Sequence, residues 1–203
     1  MPSDEAVPTV YQLKITLLEI VRPVWRRVQV SNSIRLNDLH RVFQVVMGWT
    51  DSHLHQFEKG RVYWGVPQHD GFDDDVVNEK RVPLSDVLKV EGDSIIYLYD
   101  FGDNWRHQVI LEKILPANDA GGTNPICIAG ERRCPPEDVG GPMGYRDFLE
   151  VIFQPNHEGF ADLRSWAGGT FHAEEFDVSE VNKALGRIRW TQKRGKSAAN
   201  SRN

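Results

Sequence analysis

Residues 97–111 read Tyr-Leu-Tyr-Asp-Phe-Gly-Asp-Asn-Trp-Arg-His-Gln-Val-Ile-Leu. Aromatic and β-branched residues on either side of Gly102-Asp103-Asn104 predict two β-strands, 95–99 and 105–111, closed by a tight turn of residues that tolerate unusual backbone angles. On the second strand a period of two puts Trp105, His107, Val109 and Leu111 on one face and Arg106, Gln108 and Glu112 on the other. One histidine is therefore aimed at the core. Asp100 and Asp103 flank the turn, where a carboxylate bonds its own backbone or serves a site.

Working outward, residues 11–20 alternate, with Tyr11, Leu13, Ile15 and Leu17 facing one way, and predict a half-buried strand. Pro23 interrupts the pattern, which resumes over 24–30 with Val24, Val28 and Val30 on a common face. The period then changes. Leu36, Leu39, Phe43, Val46 and Met47 form an amphipathic helical stripe, with caps on offer from Asn37 and residues 31–33 and a stop at Gly48. After Trp49, two-residue spacing points His53, His55 and Phe57 to one side of a strand, and a further strand ends near Trp64. Residues 68–75 read as an acidic loop without the spacing of a calcium loop, and 84–88 as a short helix.

Residues 116–125 look like a connector, and 125–144 hold too many prolines and glycines for a regular element. Three helices are expected beyond them. Tyr145, Phe148, Leu149 and Ile152 mark the first and Phe160, Leu163 and Trp166 the second, while Asp177 with Glu180 resembles a capping box for the third. A strand-rich first half (strand, strand, helix, strand, then the central hairpin in a mixed or antiparallel sheet) followed by a helical second half predicts an α+β fold rather than alternating βαβ units. One domain is expected over 11–190, with flexible tails at 1–10 and 191–203.

The 203 residues are 40% apolar and carry a net charge of -5, which argues against a surface built throughout to hold nucleic acid. The charge is uneven. From Lys183 onward there are seven cations (Lys183, Arg187, Arg189, Lys193, Arg194, Lys196, Arg202) and no acid, which leaves -12 on the rest. That basic end is the candidate contact for nucleic acid. Two cysteines suit a reducing compartment, and no apolar run has the length of a secretory signal or a membrane span, so a cytoplasmic protein without a membrane partner is expected.

His53 and His55, two apart on one strand face, lie at a separation from which both imidazoles reach one metal ion, with His107 as a third ligand if its strand is near. Asp100, Asp103, Glu137 and Asp138 are the candidate further ligands or general bases. Cys127 and Cys134, separated by six residues, are too far apart for an ordinary zinc knuckle; Cys134 next to Arg132 and Arg133 is a candidate nucleophile. Phosphate-loop and dinucleotide fingerprints are missing, so no nucleotide cofactor is expected, and a divalent metal is the one cofactor the side chains suggest. Asp100-Phe101-Gly102 spells the kinase magnesium tripeptide without the motifs that accompany it. Trp25, Trp49 and Trp105 are expected to anchor the core, and Arg26 or Arg27 to pair with Asp100 or Asp103.

The chain resembles the plasmid pRiA4b ORF-3-like family, whose members are also labelled TnpR-like passenger proteins of insertion elements. The resemblance is carried by Val24-Trp25-Arg26-Arg27, Leu39-His40, Gly48-Trp49, His53-Leu54-His55-Gln56-Phe57, Tyr99 through His107, and Arg133-Cys134-Pro135-Pro136-Glu137-Asp138-Val139-Gly140-Gly141. It departs at Phe171-His172-Ala173-Glu174, where the family has Phe-Asp-Pro-Glu. The resemblance implies an α+β fold and carries no activity over. The resolvase label finds no support in the residues, because neither an arginine-activated serine nor a His-x-x-Arg and Tyr set is present. The expectation is a non-catalytic accessory protein of plasmids and mobile elements, with metal-assisted hydrolysis and nucleic-acid binding as alternatives.

Overall fold

The computed structural model describes residues 9–67, 75–117 and 123–190. Its centre is the hairpin of β6 (Ser94–Tyr99) and β7 (Trp105–Pro116), paired antiparallel up to Tyr99↔Trp105. Tyr97, Tyr99, Trp105, His107, Val109 and Leu111 all point to one face and are fully buried. The turn holds because Asp100 and Asn104 take left-handed backbone angles, and Asp100 Oδ1 accepts from the Gly102 and Asp103 amides at 2.8 and 3.3 Å.

Around this hairpin lies an eight-stranded sheet in the order β5-β4-β3-β6-β7-β1-β2-β8. β1 (Thr9–Leu17) runs antiparallel between β7 and β2 (Trp25–Ser31), and β8 (Ile126–Glu131) extends that side. On the other side come β3 (His55–Lys59), β4 (Val62–Gly65) and β5 (Val76–Asn78), the last parallel to β4. The sheet is mixed, as expected for the α+β class.

α1 (Leu36–Met47) covers the inner face, burying Leu36, Leu39, Val42, Phe43 and Val46. Phe43 meets the Tyr97 ring edge-on at 5.0 Å and the Phe57 ring at 6.1 Å. Each such ring removed from water contributes about 1.5–3 kcal/mol, so this face-to-stripe contact is the main apolar join of the first half. Gly48 ends the helix with φ 89°, as its sequence position predicts. The start differs. Arg35 occupies the cap without a side-chain bond, and the Leu36 amide donates instead to Val82 O at 3.0 Å. That segment leads into α2 (Leu84–Val87).

The second half supplies α3 (Gly141–Ile152), α4 (Phe160–Trp166) and α5 (Val178–Gly186). Asp177 caps α5 by accepting from the Ser179 and Glu180 amides. Tyr145, Phe148 and Phe171 pack into one aromatic cluster. α5 guards the flank of β8, where Asn182 bonds the Cys127 amide and carbonyl, both at 2.8 Å, as a neighbouring strand would.

Several expectations need correction. Residues 125–144 are not all loop, since they contain β8 and the start of α3. Thr9 and Val10, assigned to a tail, already belong to β1. Arg26 and Arg27 do not meet Asp100 or Asp103. Arg27 pairs with Glu112 at 2.6 Å, and Arg26, 1% exposed, donates to four carbonyls, those of Trp25, Val46, Glu131 and Arg132, beneath the Phe176 ring. It ties the C-terminal end of α1, where carbonyls lack helical partners, to the end of β8. Trp49 and Trp105 are core residues, whereas Trp25 is only partly buried, between Lys14 and Arg27. The remaining parts of the expected tails, most of the acidic loop 68–75 and the middle of the 116–125 connector lie outside the described residues. Among the described residues, no helix is long and apolar enough to cross a membrane.

Candidate metal centre

Three segments far apart in sequence meet beside the hairpin turn. The turn after α1 brings His53, the hairpin brings Asp100, and the loop entering α3 brings Glu137 and Asp138. His53 Nε2 lies 3.1 Å from Asp138 Oδ1, 3.6 Å from Asp100 Oδ2 and 3.9 Å from Glu137 Oε2. This nitrogen is buried and makes no hydrogen bond among the described residues.

The two less exposed carboxylates share a design. Asp100 commits Oδ1 to the turn amides and leaves Oδ2 toward His53. Glu137 commits Oε1 to the Thr50 amide at 2.9 Å and to its hydroxyl at 3.1 Å, while Tyr99 Oη donates to it at 3.1 Å. Its Oε2 also takes a 3.3 Å contact from Tyr99 and faces His53. One oxygen of each thus ties together the segments that carry the ligands, the arrangement by which surrounding bonds orient metal ligands. The Tyr99 hydroxyl is pushed well above its usual range by burial and by the charge of Glu137, so it remains protonated and donating.

The loop bearing Glu137 and Asp138 is held from both ends. Trp49 Nε1 donates to Pro135 O at 3.1 Å, and the Gly140 amide donates to Asp103 Oδ2 at 3.1 Å. Gly140 and Gly141 have φ 91° and 68°, and a Cβ on Gly141 would meet Asp103 O at 2.5 Å. Only glycine fits both the angle and the approach. Asp103 is therefore a clamp on the Gly-Gly pair, outside the donor set.

A divalent ion with ligand bonds of about 2.1 Å separates neighbouring donor atoms by roughly 2.9–3.5 Å. The donor atoms of His53, Asp100 and Asp138 all lie within 4.8 Å of one another, with His53 Nε2 near the ligated spacing from both carboxylates, whereas Glu137, 3.9 Å from His53, falls outside this group. One imidazole with two carboxylates is a mostly hard donor set, suited to a cation of the manganese or magnesium kind.

His55 and His107 go elsewhere. β3 begins at His55, so His53 precedes the strand and the period-two relation fails. His55 turns to Glu79, with Nε2 2.9 Å from Oε2, and stacks on His40 at 3.4 Å with 3° between the rings. His40, Asp51 and His55 bring donor atoms together, yet this second group does not fit an ion. A metal lies near the plane of each ligating imidazole, and parallel planes 3.4 Å apart have no common position. The protons are also already placed. The Asp51 amide donates to Gln44 Oε1 at 2.9 Å, so Gln44 Nε2 donates to Tyr97 Oη at 3.1 Å. The Tyr97 hydroxyl then gives its proton to His40 Nδ1 at 2.8 Å, and His40 donates from Nε2 to Asp51 Oδ1 at 2.7 Å. Burial, aided by the neighbouring His55, lowers His40 to about 4. Sequence reasoning had no signal for His40 and Asp51 as partners, because their meeting depends on how α1 crosses the sheet.

His107 is fully buried in the core, with Nδ1 bonded to Tyr97 O at 3.1 Å and its ring edge-on to Trp49. Burial lowers it to about 4, and it joins neither donor group. Cys134 is buried against Met47 Sδ at 3.2 Å, and burial pushes its thiol up to about 11, the opposite of an activated nucleophile. In the basic end, Lys183 pairs with Glu180 on α5, while Lys193, Arg194 and Lys196 lie outside the described residues.

Residues 9–180 match the family model described as plasmid pRiA4b ORF-3-like protein. The chain is 39% identical to the uncharacterised protein y4hQ of Sinorhizobium fredii, over 92% of this chain and 97% of that one. Its fold matches the crystal structure of MM3350, a protein of unknown function from Methanosarcina mazei Go1, with a TM-score of 0.78 and 41% identity, covering 85% of this chain and 97% of that chain.

Proposed function

The chain belongs to the plasmid pRiA4b ORF-3-like family, and we propose that it acts as a cation-binding accessory module of such elements, non-catalytic, with one divalent ion held by His53, Asp100 and Asp138 and Glu137 beside them. The observation that carries this is the unbonded, buried Nε2 of His53 facing three carboxylate oxygens. A nitrogen withdrawn from water without a partner costs about 1–3 kcal/mol, and gathered carboxylates repel one another. A cation relieves both. It would also join the turn after α1, the central hairpin and the entrance to α3.

The test is Mn2+ titration of protein lacking a histidine tag. About one ion per chain is expected, bound at least tenfold more weakly by Asp100→Asn and His53→Gln, with metal-free thermal stability nearly unchanged in Asp100→Asn. Absence of binding, or equal affinity in both variants, refutes the reading. The outward position of Asp138, its side chain 71% exposed, favours a second reading, metal-assisted hydrolysis with Asp138 as base. That reading requires Mn2+-dependent cleavage of an ester or amide substrate that Asp138→Asn abolishes.

A further inference from the structure

We propose that the groove between the β1–β2 connection and α3 binds a small aliphatic carboxylate, its chain on the apolar walls and its oxygens on the Tyr145 hydroxyl and the arginines beside it. None of the residues lining the groove belongs to the candidate metal centre, so the proposal stands apart from the cation reading. Residues 19–22 form one wall and α3 the other, enclosing about 530 Å3, the size of a small-ligand site. Ile20, Val21, Pro142, Met143 and Leu149 make it apolar. Val21 is 95% and Met143 69% exposed, which leaves apolar surface in water for a ligand to cover. The one ring in the lining, that of Tyr145, is already packed against Phe148 and Phe171 with centroids 6.3 and 6.2 Å away. An alkyl chain therefore matches these walls better than an aromatic one.

The polar end is indicated by three observations. Tyr145 is 4% exposed, and its hydroxyl makes no hydrogen bond among the described residues. Burial above all pushes that hydroxyl up to about 12, so it stays a donor in want of an acceptor. The charges of Arg132 and Glu174 act on it, which sets it near that ion pair. Glu174 accepts from both terminal nitrogens of Arg132, at 2.7 and 2.6 Å, and from Arg22 Nη1 at 2.9 Å. Two guanidinium groups thus share one carboxylate, itself 62% exposed, and one positive charge is left over. Finally, α3 begins without a side-chain cap and without an acid in its first turn, and Pro142 and Met143 of that turn line the groove. The positive end of the helix favours an anion there. Glu19 and Glu150 also line the groove, so a single negative charge suits it and a dianion does not.

Titration calorimetry of the full chain with octanoate, hexanoate and 1-octanol, free of divalent ions, tests this. About one octanoate per chain is expected, with hexanoate about tenfold weaker for its two missing methylenes and 1-octanol at least tenfold weaker for its missing charge. Tyr145→Phe keeps the ring and should weaken octanoate about tenfold at an unchanged melting temperature. Met143→Glu, at an exposed position, should weaken it at least as much by placing a like charge in the apolar wall. Absence of saturable octanoate binding overturns the proposal, as does 1-octanol binding equally well. Octanoate affinity that neither Tyr145→Phe nor Met143→Glu changes places the ligand elsewhere and overturns it too. If octanoate binds only once Mn2+ is added, its carboxylate sits on the cation centre, and the groove proposal falls while the cation reading stands. Octanoate binding with the expected variant losses in a protein that takes up no Mn2+ upholds the groove and refutes the cation reading alone.

Discussion

Replacing His107 with phenylalanine isolates the titration of one buried imidazole. In the folded protein His107 is lowered from 6.5 to about 4 by burial. In the unfolded chain it takes up a proton as pH falls through 6.5, while the folded state refuses one until about 4. Its stability contribution is therefore complete above pH 6.5, declines between 6.5 and 4, and levels off below. Linkage gives about 2.5 kcal/mol lost by pH 4.5 from this residue alone. Phenylalanine fills nearly the same space beside Trp49 and Tyr97, giving up one bond to Tyr97 O, and does not titrate. Urea unfolding at pH 7.5, 6.5, 5.5 and 4.5 yields the stability of both proteins; the carboxylates they share cancel in the difference. The native curve should drop relative to the variant by about 2.5 kcal/mol across this range. Parallel curves would refute the assignment of a buried neutral imidazole.

Arg26→Lys removes the planar donor set and leaves carbonyls at the end of α1 and β8 unpaired, a loss of about 3 kcal/mol expected in denaturant melts. Gly141→Ala forces a Cβ onto Asp103 O at a left-handed angle; it should cost about 2 kcal/mol or more and displace Glu137 and Asp138, so Mn2+ affinity falls together with stability. Asn182→Ala should lose about 1–2 kcal/mol in thermal unfolding and raise concentration-dependent aggregation, since it uncovers the β8 flank.

The central hairpin, α1 with its Gly48 stop and the capped α5 were legible because each follows from a local rule: alternation, a helical stripe, or an Asp three residues before Glu. β8 was not. Its inward residue is Cys127, while Ile126 and Ile128 face outward and are largely exposed, so its apolar pattern points away from the core. The candidate centre was half legible. His53, Asp100, Glu137 and Asp138 carried the right chemistry, but that His53 parts from His55 depends on β3 starting two residues later than alternation suggests. His40 and Asp51 were invisible because tertiary packing alone pairs them. Arg26 misled through its charge. A guanidinium was expected to seek Asp100 or Asp103, and its planar fork, buried, matched four carbonyls instead.

The loop of hydrogen bonds through Asp51, Gln44, Tyr97 and His40 has a sense of circulation. Each member gives to the next, so none can turn round alone without setting two donors or two acceptors face to face. Because the amide of Asp51 and its carboxylate are both links, the backbone just ahead of His53 is fixed by the same ring that orients Tyr97 deep in the sheet. The core thus sets the position of the His53 imidazole, and a change in the interior is felt at the candidate centre as a change in aim.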